Sequence, residues 1–213
     1  VPQLGAVGIA AHEVKKRTDF SVIYGPVRAK DIHAFLEGGL KATTEMREVT
    51  FTLYERMLLV PLEFVLGFKY LIFISSIWLI AAGFSKSGFS VDLAINNGIY
   101  FVLNLVVAYI CGTIIGPLLL PWLPGRSFSF KGLFIGICAF LMMYYWGFVG
   151  SKIDSIAWLL LYSAISSFLT MNFTGASTYT SISGVKKEMK IAVPLQLIAF
   201  AIGIIILLVT RFI

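Results

Sequence analysis

The sequence predicts a mainly α fold: a five-helix transmembrane bundle preceded by a partial α/β, parallel-sheet fragment. Three observations carry that expectation. Of 213 residues, 58% are hydrophobic and only 13% are charged, about half the ~25% charge of an ordinary soluble domain. Five long apolar stretches approach the roughly 20 helical residues that a bilayer core about 30 Å thick requires. Charge is also concentrated at one end, since residues 1–56 hold eight of the 17 Lys and Arg and seven of the 11 acids. This composition excludes a disordered chain, a coiled coil, a collagen and an ordinary cytosolic enzyme.

The charged end, residues 1–53, reads as strand and helix in alternation. Val1 to Leu4 ends a short strand, and Gly5-Ala6-Val7-Gly8 makes a turn of small residues. Ile9 to Arg17 is helical, with Lys15-Lys16-Arg17 in the last turn, where cations suit the helix dipole. Phe20 to Tyr24 is β-branched and aromatic and stops at Gly25-Pro26, the pattern of a second strand. Asp31 then caps a helix through Leu36, closed by Gly38-Gly39. Strands separated by helices pair in parallel, and two strands are too few for a sheet. The expectation is therefore an internal fragment of a longer protein, with the remaining strands upstream of Val1. The opening Val1-Pro2-Gln3-Leu4 has neither the basic nor the apolar region of a signal peptide.

Residues 54–66 mix charge with apolar residues around Pro61 and read as an amphipathic juxtamembrane helix kinked into the first span. That placement leaves Lys69 at the interface, where it can snorkel. A span beginning at Met57 would instead hold Glu63 and Lys69 in hydrocarbon, at about 2.5 kcal/mol or more per charge. The membrane domain, 67–213, contains spans near Gly67–Phe84, Gly98–Leu120, Gly132–Val149, Ile156–Phe173 and Ile191–Thr210. Loops after the second and fourth carry Arg126, Lys131, Lys186, Lys187 and Lys190, against Lys86, Lys152 and Arg211 on the other side. The positive-inside rule puts the first set and the N-terminal segment in the cytoplasm and the C-terminus outside. The net charge of +6 thus reports orientation, and no nucleic-acid partner is expected.

Motifs within the spans read as packing. Gly112-x-x-x-Gly116 and Gly132-x-x-x-Gly136 let helices approach closely within one chain. Asn104 and Gln196 are expected to make interhelical hydrogen bonds, and the sparse intramembrane carboxylates speak against a proton-coupled pump. Cys111 and Cys138 have neither disulfide nor metal spacing, and no metal ligands are assigned. His12-Glu13 lacks the second His of a zinc-protease helix, since position 16 is Lys. Asp31-Ile32-His33 begins like a cobalamin-binding D-x-H-x-x-G loop, but position 36 is Leu, so His33 reads as a solvated helix residue. Asn172-Phe173-Thr174 is formally a glycosylation sequon at a cytoplasmic span end. Residues 175–190 read as a Ser/Thr-rich loop with a basic end, solvated or docking the soluble segment. The two turns at the carboxyl ends of the predicted strands are where α/β folds bind ligands. Small residues there permit close backbone approach, and helix N-termini offer N–H donors.

The strings VPQLGAVGIAAHEVKKRTDFSVIYGPVRAKDI and FLEGGLKATTEMREVTF resemble the C-terminal part of the corrinoid-binding domain in the large subunit of corrinoid iron–sulfur proteins. Their continuation into five spans resembles the mercury-methylation corrinoid protein family (HgcA family). The soluble match covers about a quarter of the chain, and the span count agrees over the rest. This resemblance implies a corrinoid (cobalamin-type, cobalt) cofactor that takes a methyl group from a methyltetrahydrofolate-linked donor and passes it to Hg(II). It implies a ferredoxin-like iron–sulfur partner (HgcB), a multi-pass position in the cytoplasmic membrane of a prokaryote, and contact with the lipid bilayer. It also implies corrinoid contact by Gly5, Ala6, Val7 and Gly8, and by Tyr24, Gly25, Pro26, Val27 and Arg28, with Arg28 placed for corrin amides or a nucleotide-tail phosphate. The family's cap helix, N-V-W-C-A-G-K, whose Cys ligates cobalt, is missing from this sequence. Cys111 (YICGT) and Cys138 (GICAF) do not match it, so no catalytic residue is assigned within the chain and the ligand is expected upstream. Two other classes remain open: a polytopic transporter or channel subunit, and a membrane anchor or docking module without catalysis.

Overall fold

The computed structural model describes residues 1–48, 51–85, 88–175 and 182–212, and the chain is mainly helical. It divides into two units, Val1–Phe51 and Thr52–Ile213.

In the first unit, α1 (Ala11–Thr18) carries Lys15, Lys16 and Arg17 in its last turn, as the charge pattern predicts. Asp19 ends it in the left-handed region (φ 59°), its N–H donating to Lys15 O at 2.9 Å. Asp is among the few non-glycine residues that enter this region readily. A 3-10 turn (Ala29–Asp31) leads into α2 (Ile32–Glu37), with Gly38 at its C-cap. Asp31 occupies the N-cap position, but its side chain makes no capping bond.

The predicted parallel strands do not form a sheet. Residues Gln3–Gly8 wind into a 3-10 helix, and Phe20 to Tyr24 has no strand assignment. Three backbone bonds still join the segments: Val1 N to Ile23 O at 2.8 Å, Gly25 N–H to Val1 O at 2.9 Å, and Gln3 N–H to Pro26 O at 2.9 Å. The ladder goes no further, because residues 3–8 coil and the Val27 N–H, the next donor on that edge, goes to Met46 O.

The second unit contains five helices long and apolar enough to cross a membrane. The first, α3 (Leu53–Ala82), starts at a capping box: Thr52 Oγ1 accepts from Glu55 N–H, and Glu55 Oε2 accepts from Thr52 N–H at 2.8 Å. Residues 54–66 therefore do not form a separate juxtamembrane helix. They are continuous with the first span, Pro61 lying inside the helix. Proline removes one donor, and long apolar helices absorb that loss.

A two-residue antiparallel pair, β1 (Phe84–Ser85) with β2 (Gly88–Phe89), leads to α4 (Val91–Ile110). This second crossing continues through a π-helical turn, Cys111–Ile115, into α5 (Gly116–Leu119). Pro117 has no N–H to return to the Thr113 carbonyl, which favours a break in the regular ladder here. Thr170 Oγ1 donates to Gly112 O at 3.1 Å and supplies a partner from the neighbouring helix.

The remaining crossings are α6 (Phe128–Tyr145), α7 (Lys152–Asn172) and α8 (Ile182–Phe212). Of the stretch 175–190 expected as a loop, residues 176–181 lie outside the described residues. From Ile182 onward it is helix, so Lys186, Lys187 and Lys190 stand on α8. Glu188 Oε1 accepts the Ser129 N–H at 2.6 Å, satisfying one of the unpaired donors at the start of α6.

The core lies on α7, with Ala157, Leu161 and Tyr162 almost fully buried against α4, α6 and α8. Small residues make this possible. A Cβ on Gly132 would sit 2.5 Å from Ser166 O, and one on Gly112 would sit 2.7 Å from Leu169 Cβ. The two glycine pairs thus pack α6 and the π-helical turn onto α7 of the same chain, as expected for small-residue motifs.

Candidate functional site

The residues implicated by the corrinoid resemblance all fall in the Val1–Phe51 unit. The 3-10 helix Gln3–Gly8 carries the first set, and the segment 24–28 carries the second. The fold brings the two together. Besides the three backbone bonds, Gln3 Nε2 donates to Gly25 O at 3.2 Å, and the Tyr24 hydroxyl donates to Ile9 O at 3.1 Å. Segments about 20 residues apart in sequence therefore form one continuous patch.

Burial divides the named residues into two groups. Gly25, Pro26 and Val27 are buried. A Cβ on Gly25 would lie 3.2 Å from the Phe35 ring, and Val27 N–H donates to Met46 O at 2.9 Å. Gly25 and Val27 hold the segment against α2 and the 3-10 turn Glu45–Arg47, while Pro26 O accepts the Gln3 N–H. Gly5, Gly8 and Tyr24 are exposed, and Ala6 and Arg28 are half-exposed. A Cβ on Gly8 would meet nothing within 4 Å, so this stretch of backbone is open to approach. The side chain of Val7 lies outside the described residues.

The two histidines stand apart from this patch in their contacts. His12 faces Glu13 at 3.9 Å, and Glu13 also pairs with Arg17 at 3.5 Å. His33 pairs with Glu37 one turn along α2 at 3.2 Å, and its side chain is 85% exposed. That exposure fits a solvated helix residue. Among the described residues there is no group of three or more His, Cys, Asp or Glu side chains able to hold a metal ion.

Within the bundle, polar side chains form a second feature. Asn104, fully buried, donates through Nδ2 to Tyr100 O and Phe148 O, each at 2.8 Å, and its Oδ1 accepts from the Tyr162 hydroxyl at 3.1 Å. Gln196 Nε2 donates to Ser167 Oγ at 2.7 Å, and Ser167 donates in turn to Ser129 O at 2.8 Å. Both polar residues flagged from sequence thus bridge helices. Their partners Tyr162 and Ser167 were not singled out, although Ser163, Ser166, Ser167 and Thr170 recur at helical spacing along α7.

Near the start of α3, Arg56 is only 4% exposed. Its Nε donates to Thr52 O at 3.4 Å, Nη1 donates to Leu118 O, and the guanidinium lies 5.5 Å from the Trp122 ring centre. An arginine at the end of α5 satisfies orphan carbonyls and complements the negative pole of the helix. The composition of residues 54–66 hides this role, because the carbonyl that Arg56 meets is 62 residues away.

Compared with protein-family models, curated proteins and solved structures, the chain shows no match.

Proposed function

We propose that this chain is the membrane-anchoring part of a corrinoid-dependent methyltransferase, whose Val1–Phe51 unit completes a corrinoid site and whose five helices sit in the cytoplasmic membrane of a prokaryote. In this reading the unit lies in the cytoplasm and the C-terminus outside, following the distribution of Lys and Arg. The observation that carries the reading is the joining of residues 1–9 to residues 23–26 by five hydrogen bonds, two of them from Gln3, which brings the 3–8 and 24–28 segments into one patch. Val1 bonds through both N and O to the residues flanking Tyr24, the arrangement of a parallel bridge, so the pairing fits the edge of a larger parallel sheet.

The residues present fit a large flat ligand on one side. Gly5 and Gly8 leave bare backbone, Tyr24 adds an exposed ring, and Arg28 brings a cation suited to an amide oxygen or phosphate. Gly25, Pro26 and Val27 would support these groups from beneath. A bound corrinoid would supply a cobalt able to carry a methyl group. Methyl donor, Hg(II) acceptor and iron–sulfur partner follow from the family resemblance alone.

The test is expression of the complete protein together with a ferredoxin-like iron–sulfur partner. The purified complex should show a corrinoid absorption spectrum and form methylmercury from Hg(II). A complex free of corrinoid would overturn the reading. Corrinoid binding without methyl transfer would confine this protein to anchoring and docking. Arg28→Ala and Tyr24→Ala should lower corrinoid occupancy while the protein still inserts in the membrane.

A further inference from the structure

The second unit has a cavity of about 290 Å³ at the end of the bundle where α3, α6 and α8 finish and α4 and α7 begin. That volume is close to the lower bound of small-molecule sites, about 300 Å³. Trp78, Tyr100, Phe101, Phe148 and Trp158 line it, together with Asp154 and its partner Thr210. Trp78 stacks on Phe101 at 4.0 Å and 11°, and Phe101 meets Trp158 at 5.2 Å and 54°. Tyr100 and Phe148 form a second ring pair at 6.4 Å. Aromatic faces carry negative electrostatic potential and attract cations within about 6 Å.

Among the described residues, Asp154 is held by neutral donors. Its Oδ2 accepts from Ser151 N–H at 3.1 Å and from the Ser151 hydroxyl at 2.8 Å. Its Oδ1 accepts from the Thr210 hydroxyl at 2.8 Å. All three donors are neutral, and among the described residues Asp154 has no ion-pair partner. A carboxylate has about four lone-pair sites, so one on Oδ1 remains open. A capping role alone accounts for the bonds to Ser151, but not for a fixed carboxylate bordering an aromatic cavity.

We propose that this cavity binds an organic ammonium ion, its charge against Asp154 and its carbon substituents against the rings. The chemistry is shared by a free solute and by the headgroup of a lipid in the adjoining leaflet. The site is independent of whether residues 1–51 meet a corrinoid.

The test uses the whole chain in nanodiscs of phosphatidylglycerol, which carries no ammonium group, with choline as the probe and tryptophan fluorescence as the readout. Choline should saturate the signal and bind at least ten-fold more tightly than 3,3-dimethyl-1-butanol, its neutral carbon isostere. Asp154→Asn should remove that preference, leaving the isostere's affinity unchanged. Tyr100→Leu, which leaves the carboxylate and its three bonds in place, should weaken choline several-fold. If the source is lipid, replacing phosphatidylglycerol with phosphatidylcholine should suppress the choline response; if it is a free solute, the response should persist. Equal affinity for choline and its isostere, or no saturable response in phosphatidylglycerol discs, would overturn the proposal.

Discussion

Replacing Gly132 with alanine tests how closely α6 and α7 are packed. The added Cβ would lie 2.5 Å from Ser166 O, 2.7 Å from Thr170 Cβ and 2.8 Å from Ser167 Cα. Two of these three neighbours belong to the backbone of α7, so no rotamer change relieves them. Clearing the carbonyl to about 3.3 Å separates the helices by roughly 0.8 Å, and a gap of that order forfeits a quarter to a half of each dispersion contact. Overpacking of this kind costs about 1–3 kcal/mol. Against it stands the better helix propensity of alanine, about 1 kcal/mol. The expected net effect is a destabilisation of up to about 2 kcal/mol, read as a lower midpoint when the micelle-bound protein is titrated with SDS. Gly98→Ala is the control. There the nearest atom is Leu79 Cδ2 at 2.6 Å, the movable end of a side chain, while Leu79 Cα stands at 3.3 Å. That variant should match the parent or exceed it slightly. Gly132→Ala as stable as Gly98→Ala would refute the close-packing account of α6 on α7.

Other expectations follow from single contacts. Asn104→Leu should destabilise the bundle by about 1–2 kcal/mol in the same titration, because it leaves Phe148 O and the buried Tyr162 hydroxyl without their partner; Tyr162→Phe should cost less. Arg56→Met should lower the SDS midpoint, and Arg56→Lys should not restore it, since an ammonium cannot reach Thr52 O and Leu118 O in the same planar geometry. If the proposed function holds, Cys111→Ser and Cys138→Ser should leave methylmercury formation unchanged, and a loss of it would give these thiols a role in methyl transfer. Gly25→Leu should unfold the first unit around Phe35, seen as faster amide exchange in α2, whereas Gly8→Ala should not.

Periodicity and length made the membrane helices legible, because a span must bury about 20 successive residues in hydrocarbon whatever its neighbours. The two Gly-x-x-x-Gly pairs and the polar residues Asn104 and Gln196 were legible for a related reason, as each departs from an otherwise apolar surface. The π-helical turn at Cys111–Ile115 was not legible. It depends on Pro117 locally and on Thr170 from another helix. Pro61 and its flanking charges mark residues 54–66 off in the sequence, while the capping box at Thr52 and Glu55 starts one helix that runs through them into the first span. The patch at residues 3–8 and 24–28 was legible only as two separate turns.

By itself, then, the sequence determined that five apolar helices follow a charged segment, since composition and hydrophobic length are properties of each stretch alone. Tertiary structure decided the rest. It wound Gln3–Gly8 into a 3-10 helix where the end of a strand at Leu4 and a turn at Gly5–Gly8 were expected. It also placed Asp154 among aromatic rings drawn from α3, α4 and α7, a grouping that exists only once the helices pack and that no single stretch of sequence encodes.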